Sequence, residues 1–495
     1  MVLGMEAPFN KILVANRGEI AVRVIRAAHE MGIEVVAVYS DADKDALHVK
    51  MADEAVRIGP PPAAKSYLQI NSIVEAALIS GAEAVHPGYG FLAENPAFVE
   101  ELEKVGIVFI GPPASVQRRV GRKLDLRKFF HAAGVPVVPG TLEPVSKEDA
   151  FDVAENMGYP VVVKPAGGGG GIGVTIVWDR EDLDRALETA SSIAYSSFGD
   201  PEVYIEKYIA RARHIEVQIL GDKKGNIVHL FERECSVQRR FQKVIEESPS
   251  PALDDELREK LVGYAVKAAK AVGYVNAGTF EFLYDPAVED FYLLEVNSRI
   301  QVEHPVTEMV TGVDLVKAQF MIAAGDPLPF SQEEIELRGH AFEARIYAED
   351  PLEDFTPSPG VIEKLVEPSG PWVRVDSGVY EGYEVTPYYD PLLMKIIVWG
   401  RTREEARLRM LRALDETVIE GLRTNLDLHR FIFRDETFKG GDLSTRYIYE
   451  ERVIERLKEK IGSTRKPTRH LHKKEKEEEY RGVVDAWRLA SKMGV

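Results

Sequence analysis

Short apolar runs alternate with helical periodicities over the first 120 or so residues. KILVAN, VVAVYS, AVHPG and IVFIGP have the length and composition of core strands, while RGEIAVRVIRAAHEMG and SYLQINSIVEAALISGA carry apolar positions at helical spacing. This alternation predicts a parallel sheet with helices on its faces. The first strand-to-helix turn reads ANRGEIA, not G-x-G-x-x-G. A nicotinamide site therefore has no support, although a turn at the C-terminal ends of parallel strands remains placed to approach a ligand.

Beyond a proline-punctuated connection at residues 134–141, the pattern becomes β-rich. YPVVVKPAGGGGGIGVTIVW holds two strand-like runs joined by glycine, and VYIEKYI and HIEVQILGD follow. DDELREKLVGYAVKAAKAVGY reads as a long helix leading into TFEFLYDPAVEDFYLLEVN, two strands about a turn. From about Arg338 the chain is mostly β, closing with helical patterns at REEARLRMLRALDETVI and LDLHRFIF. The last forty residues are a charge run, TRKPTRHLHKKEKEEEY, followed by a short helical pattern; it reads as a solvated tail, or as a docking arm with Trp487 and Leu489 as anchors.

The 495 residues exceed one ordinary core, and roughly 100–200 residues per domain suggests about three units. A net charge of -18 argues against nucleic acid or an anionic membrane as partner. Cys235 is the only cysteine, which excludes an internal disulfide or a cysteine-built zinc site and fits a reducing compartment. No apolar run is long enough to span a bilayer, and the opening residues lack a secretory pattern, so a cytoplasmic protein is expected.

Three segments carry candidate chemistry. Gly167 to Gly171, with Gly173 beyond, lose entropy on ordering and add no packing. They suit a flap whose backbone N–H groups close over phosphates, with Lys164 at the preceding strand's end; a plain hairpin tip is the other reading. No G-K-[ST] opens a helix there, so this is not a Walker loop.

The second segment is the hairpin at residues 280–303. With its register centred near Val288, Glu281 falls opposite Glu295, and two like charges so opposed are unfavourable unless a cation lies between them. Asn297 shares the Glu295 strand face and offers another oxygen, a donor set that suits magnesium. Arg299, Gln301 and Glu303 continue the same spacing, although a regular strand is not expected that far. The third segment, SVQRRFQKVIEESP, concentrates Arg239, Arg240 and Lys243 in an acidic chain; a basic edge strand with surface salt bridges would also explain it.

Together these pieces resemble the biotin carboxylase family of the ATP-grasp enzymes. LEVNSRIQVEHPVTEMVTGVDLV is the most specific stretch, and ANRGEIAVR, HPGYGFLAEN, GGGGGIGV, RHIEVQ, QRRFQKVIEESP and YYDPLLMK match in the same order over residues 11 to about 450. The resemblance implies an α/β fold in three parts. These are a Rossmann-like (pre-ATP-grasp) domain at 1–121, an ATP-grasp domain at 122–330 with a mobile glycine-rich lid at about 139–208, and a β-rich domain at 331–455. A charged tail at 456–495 follows.

The resemblance also implies the site. ATP would meet Lys123, Lys164, Gly169, Gly170, Gly171, Glu206, Lys207, Tyr208, Ile209, His214, Gln238 and Leu283. Magnesium, with manganese as a substitute, would be held by Glu281, Glu295 and Asn297. Bicarbonate would be held by Lys243, Arg299, Gln301 and the backbone of Val302, with Glu303 as base. Tyr89 and Arg345 would face biotin.

The implied reaction is ATP-dependent carboxylation of biotin on a separate carrier. Its partners would be a second copy of this chain, a biotin carboxyl carrier protein and a carboxyltransferase subunit. The alternatives are another ATP-grasp ligase, such as a purine-biosynthetic carboxylase or a carbamoyl-phosphate synthetase half, and a non-catalytic nucleotide-binding subunit. Two positions depart from the family pattern: Phe241 replaces a common histidine, with packing as the expected compensation, and Ile172 replaces a common arginine. The segment LLMKIIVW around Lys395 is not a biotinylation site and is expected to be structural.

Overall fold

The computed structural model describes residues 7–167 and 173–462. Its first layer is a five-stranded parallel sheet of β1 (Lys11–Val14), β2 (Glu34–Ser40), β3 (Glu54–Gly59), β4 (Ala84–His86) and β5 (Val108–Phe109), in the order β3-β2-β1-β4-β5. The pattern anticipated all but β3. That edge strand carries Glu54 and Arg57 and is largely exposed at its start, so it has no continuous apolar run to announce it. Strand order reverses between β1 and β4, and such a switch point opens a crevice at the strands' C-terminal ends. The two loops there are tied by Asn16, whose Nδ2 donates to the carbonyls of Pro87 and Tyr89, both at 2.7 Å.

The lid is a small unit with its own core. β6 (Val161–Pro165) lies between β7 (Thr175–Val177) and β8 (Val203–Lys207), antiparallel to both. Helices Lys147–Met157 and Arg180–Phe198 cover the sheet, burying Ala150, Val161, Leu183, Leu187 and Ile205. Gly173 sits at φ +75°, and a Cβ there would lie 2.8 Å from the Pro165 ring, so only glycine fits this return into β7. Gly169, Gly170, Gly171 and Ile172 lie outside the described residues.

The body is one eight-stranded antiparallel sheet. It runs β13-β12-β9-β10-β11-β14 and continues through the strands Leu392–Gly400 and Val373–Ser377. Here β9 is Arg213–Gly221, β10 Ile227–Arg239, β11 Gln242–Ser248, β12 Asn276–Asp285, β13 Asp290–Asn297 and β14 His340–Tyr347. The change of character near Arg338 therefore does not mark a separate sheet. β14 pairs directly with β11, Glu246 opposite Glu343, so the ATP-grasp and C-terminal segments share one ladder. Periodicity reports strands but not their neighbours, which is why the junction was invisible in the sequence.

The C-terminal core packs Phe342, Ile346, Met394, Ile396, Met410, Leu428 and Phe433. It also buries Val453 and Leu457 of the helix Val453–Gly462. The packed chain thus extends past the boundary expected at 455, because one apolar face of that helix meets the core. Trp487 and Leu489 lie outside the described residues. Among the described residues no helix is long and apolar enough to cross a membrane.

Candidate active site

The hairpin of β12 and β13 holds its register from Asp285↔Asp290 to Phe282↔Leu293, then shifts so that Glu281 pairs with Glu295. Leu294 is the extra residue of a β-bulge. Without it, Glu281 would face Leu294. The bulge therefore makes the opposed carboxylates that the spacing anticipated.

The chain's own cations compensate these charges. Lys243 Nζ lies 2.9 Å and His214 Nε2 3.1 Å from Glu281, while Lys123 Nζ lies 2.8 Å from Glu295. Burial would push Glu281 upward, but Lys243 and His214 hold it well below the usual carboxylate range. Asn297 donates to Glu281 at 2.9 Å and accepts from Arg299 at 2.9 Å. The hard oxygens of two carboxylates and an amide fit magnesium. Glu216, part of the RHIEVQ stretch but not among the expected site residues, is fully buried on β9 opposite Glu281, and its carboxylate lies with His214 and Glu281 within 4.8 Å. Strand pairing is what brings it against Glu281.

Lys243 is the hub of the site. It lies on β11 one residue past the two-residue turn Arg240–Phe241 and Gln242, with Arg240 and Phe241 both at positive φ. Its ammonium reaches Glu216 at 2.6 Å, Glu281 at 2.9 Å and Glu303 at 2.5 Å. Because β10 and β11 lie inside the sheet, the basic segment is not an edge strand. Only Arg240 makes the surface pair expected of one, with Asp354. Phe241 is 60% exposed at the turn, so the compensating packing expected of it is not formed.

β13 ends at Asn297, and a loop brings Arg299, Gln301 and Glu303 to the site before the helix His304–Thr311. Arg299 pairs with Glu94 at 2.9 Å, a partner supplied by the HPGYGFLAEN loop of the N-terminal domain. Gln301 donates to Glu281 at 2.7 Å and accepts from the buried Arg233 at 2.9 Å. Glu303 lies between Lys243 and Arg345, the latter at 2.8 Å. Burial would raise the Glu303 carboxyl, and Glu216 adds to that, but Lys243 and Arg345 outweigh both and hold it below the ordinary carboxylate value.

Arg345 also pairs at 2.5 Å with Glu246, which belongs to the QRRFQKVIEESP stretch but is not among the expected site residues. Burial pushes the Glu246 carboxyl up to about 7, against the pull of Arg345. Tyr89 donates its hydroxyl to Glu19, and Arg345 is close enough to act on its ionisation.

Opposite this cluster the lid supplies Lys164, which bonds Glu206; Arg127 bonds the same carboxylate. Burial lowers the Lys164 ammonium, with Lys123 and Arg127 adding, despite Glu206. Lys207 donates to Gly158 O at 2.7 Å, and Tyr208 accepts from Arg446 at 3.2 Å. Ile209 and Leu283 share a small apolar cluster with Val138 and Ala212. Gln238 is buried in the sheet on β10, donating to Cys235 O at 2.8 Å. Direct contacts thus join His214, Lys243, Glu281, Asn297, Arg299, Gln301, Glu303 and Arg345 into one cluster.

Comparison with known proteins identifies the family. Residues 8–116 match the family described as biotin carboxylase, N-terminal domain, and residues 343–450 its C-terminal domain. Residues 123–331 match carbamoyl-phosphate synthase L chain, ATP binding domain. The chain belongs to the biotin carboxylase family. The two flanking matches separate it from the other ATP-grasp ligases, which the central match alone would not. It is 56% identical over 445 residues to a pyruvate carboxylase subunit of Methanothermobacter thermautotrophicus, covering 90% of each chain. It is 52% identical over 439 residues to biotin carboxylase 1 of Bacillus subtilis, covering 88% of this chain and 98% of that one.

Among solved structures, it resembles the biotin carboxylase domain dimer of Hydrogenobacter thermophilus 2-oxoglutarate carboxylase, in complex with MgADP, ADP and bicarbonate. The TM-score is 0.87 at 48% identity, covering 90% of this chain and 98% of the other. As a biotin carboxylase, this chain is an ATP-dependent ligase that performs the biotin-carboxylating half-reaction of a biotin-dependent carboxylase.

Proposed function

We propose that Glu303, held between Lys243 and Arg345, is the base of a carboxyphosphate mechanism on carrier-bound biotin. The observation that supports this most is the position of Glu303: a buried carboxylate kept ionised by two cations and facing the Arg299–Gln301 loop. Lys243, Arg299, Gln301 and the Val302 backbone orient bicarbonate. Its hydroxyl proton passes to Glu303 while its oxygen attacks the γ-phosphorus, and the bond to the β-phosphate oxygen breaks to release ADP. Lys123 and Lys164 offset the charge that develops on the phosphoryl oxygens. Carboxyphosphate then splits into CO2 and phosphate. The phosphate takes the ureido N–H proton of biotin, and that nitrogen attacks CO2. Arg345 stabilises the biotin enolate, with Tyr89 along the biotin pocket.

Glu281, Glu295 and Asn297 would hold magnesium, or manganese in its place, which neutralises nucleotide phosphate charge when bound. Glu206, Lys207, Tyr208, Ile209, His214, Gln238 and Leu283 surround the nucleotide, and the glycine flap that includes Gly169, Gly170 and Gly171 closes over it. The domain division at about 121 and 330 follows these roles. A carrier protein and a carboxyltransferase subunit in the cytoplasm complete the enzyme, and the chain works as a homodimer. Biotin- and bicarbonate-dependent release of ADP by the purified chain is the test. ADP release indifferent to biotin would overturn the assignment.

A further inference from the structure

The roles above leave the buried cation Lys395 unused. Lys395 is fully buried on the strand Leu392–Gly400, directly opposite Arg345 of β14. Its ammonium lies 3.1 Å from Glu19 and 3.8 Å from Asp376, and it donates to the carbonyl of Val302 at 2.8 Å. The other carboxylate oxygen of Glu19 accepts the Tyr89 hydroxyl. An unbroken line of contacts therefore runs Val302–Lys395–Glu19–Tyr89, from the bicarbonate loop to the biotin-side tyrosine.

Its members come from three parts of the chain. Glu19 opens the N-terminal helix Gly18–Glu30, Tyr89 lies on the loop after β4, Val302 precedes the helix His304–Thr311, and Lys395 belongs to the C-terminal segment. The approach is close: a Cβ on Gly378 would lie 2.5 Å from the Glu19 nitrogen, so glycine is needed where the C-terminal segment passes the helix start.

Burying an ion pair is an inefficient way to gain stability, since apolar residues of similar volume usually do as well or better. What an apolar side chain cannot do is hold the Val302 carbonyl. The peptide unit is planar, so fixing that carbonyl fixes the N–H of Glu303 on its other side and the direction in which the base leaves the backbone.

We propose that Lys395 and Glu19 are positioning residues of the carboxylation site. Lys395 fixes the Val302–Glu303 peptide, and Glu19 orients Tyr89. One ion pair thereby sets the bicarbonate side and the biotin side together. This rests on the assignment of Val302, Glu303 and Tyr89 given above.

The experiment uses the full chain with Lys395→Met/Glu19→Gln, which removes both charges and avoids leaving one buried alone, alongside Tyr89→Phe, which leaves the ion pair intact. KM for bicarbonate and for biotin, Mg-ATP affinity and the thermal midpoint are measured. The double variant should raise both KM values by about fivefold or more, with Mg-ATP affinity within about twofold of wild type. Tyr89→Phe should raise only the biotin KM. A merely structural pair would lower the thermal midpoint and leave both KM values in place, and that result overturns the proposal. If the double variant does not fold, an unchanged biotin KM in Tyr89→Phe overturns the biotin arm, and a raised one supports it. A wild-type chain without biotin-dependent ADP release would sink the assignment of function and this inference with it. An active wild type with indifferent variants would sink the inference alone.

Discussion

Glu281 faces Glu295 across the β12–β13 ladder because Leu294 bulges out of it. Each carboxylate has its own lysine, Lys243 for the first and Lys123 for the second. The opposition is thus built by one extra residue and tolerated through long-range cations. This is how a chain of net charge -18 accommodates the two opposed carboxylates proposed to hold magnesium.

These two glutamates should behave as one unit. Glu281→Gln and Glu295→Gln should each weaken Mg-ATP binding by at least about tenfold, the scale of damage seen around metal sites. The double change should cost far less than the two losses added. Titration calorimetry with Mg-ATP measures the cycle, and strict additivity would separate the two carboxylates.

Glu303→Gln keeps the size and hydrogen-bonding reach of the base but cannot take a proton. Turnover should fall by about 10²–10⁴-fold, the usual contribution of a positioned base. Mg-ATP affinity should change little, since Glu303 contacts Lys243 and Arg345 rather than Glu295 or Asn297. Near-normal turnover at saturating bicarbonate would place the base elsewhere.

Glu246 should make stability depend on pH. Arg345 and Glu343 of β14, Glu303 of the loop after β13 and Lys243 of its own strand surround it, and burial lifts its carboxyl to about 7 from 4.5. The folded chain then holds a proton that the unfolded chain releases earlier. The stability from this group is complete below about 4.5 and is lost as pH rises through about 7. Glu246→Gln should raise the thermal midpoint at pH 8 relative to wild type and change it little at pH 4. An unaltered pH slope in the variant would trace the dependence to another group.

Ending the chain at Gly462 should leave the fold and biotin-dependent ATP cleavage intact. Ending it at Arg452 removes the buried Val453 and Leu457, a loss of about 3–6 kcal/mol at about 1.5–3 kcal/mol per buried aliphatic side chain. Chemical denaturation of the two truncations distinguishes them. Equal stability would show that the last helix adds nothing to the core.

Expressed beside an active biotin ligase, the chain should keep its unmodified mass, because Lys395 is fully buried and already paired with Glu19. Intact-mass spectrometry checks this. A biotin-sized increment would mean that the carrier is part of this chain.

The sequence by itself determined what local spacing can encode. Alternating runs specified the parallel N-terminal sheet, and apolar strands about DPAVED specified the hairpin. The ordered motifs from ANRGEIAVR to YYDPLLMK specified the family and named the residues proposed for the site. Edge strand β3 escaped because it is half solvated and carries no apolar run. Tertiary structure alone decided which charges meet. Lys243 reaches Glu303 across 60 positions, Arg299 reaches Glu94 across 205, and Lys395 reaches the Val302 carbonyl across 93. It also revealed Glu216 and Glu246, and it merged the C-terminal strands with the ATP-grasp sheet. Strand and helix periods repeat over a few residues, so they report which face a side chain takes. Partners so distant in the chain meet only when separate elements pack, and it is that packing, with water excluded, that makes each buried charge depend on its neighbour.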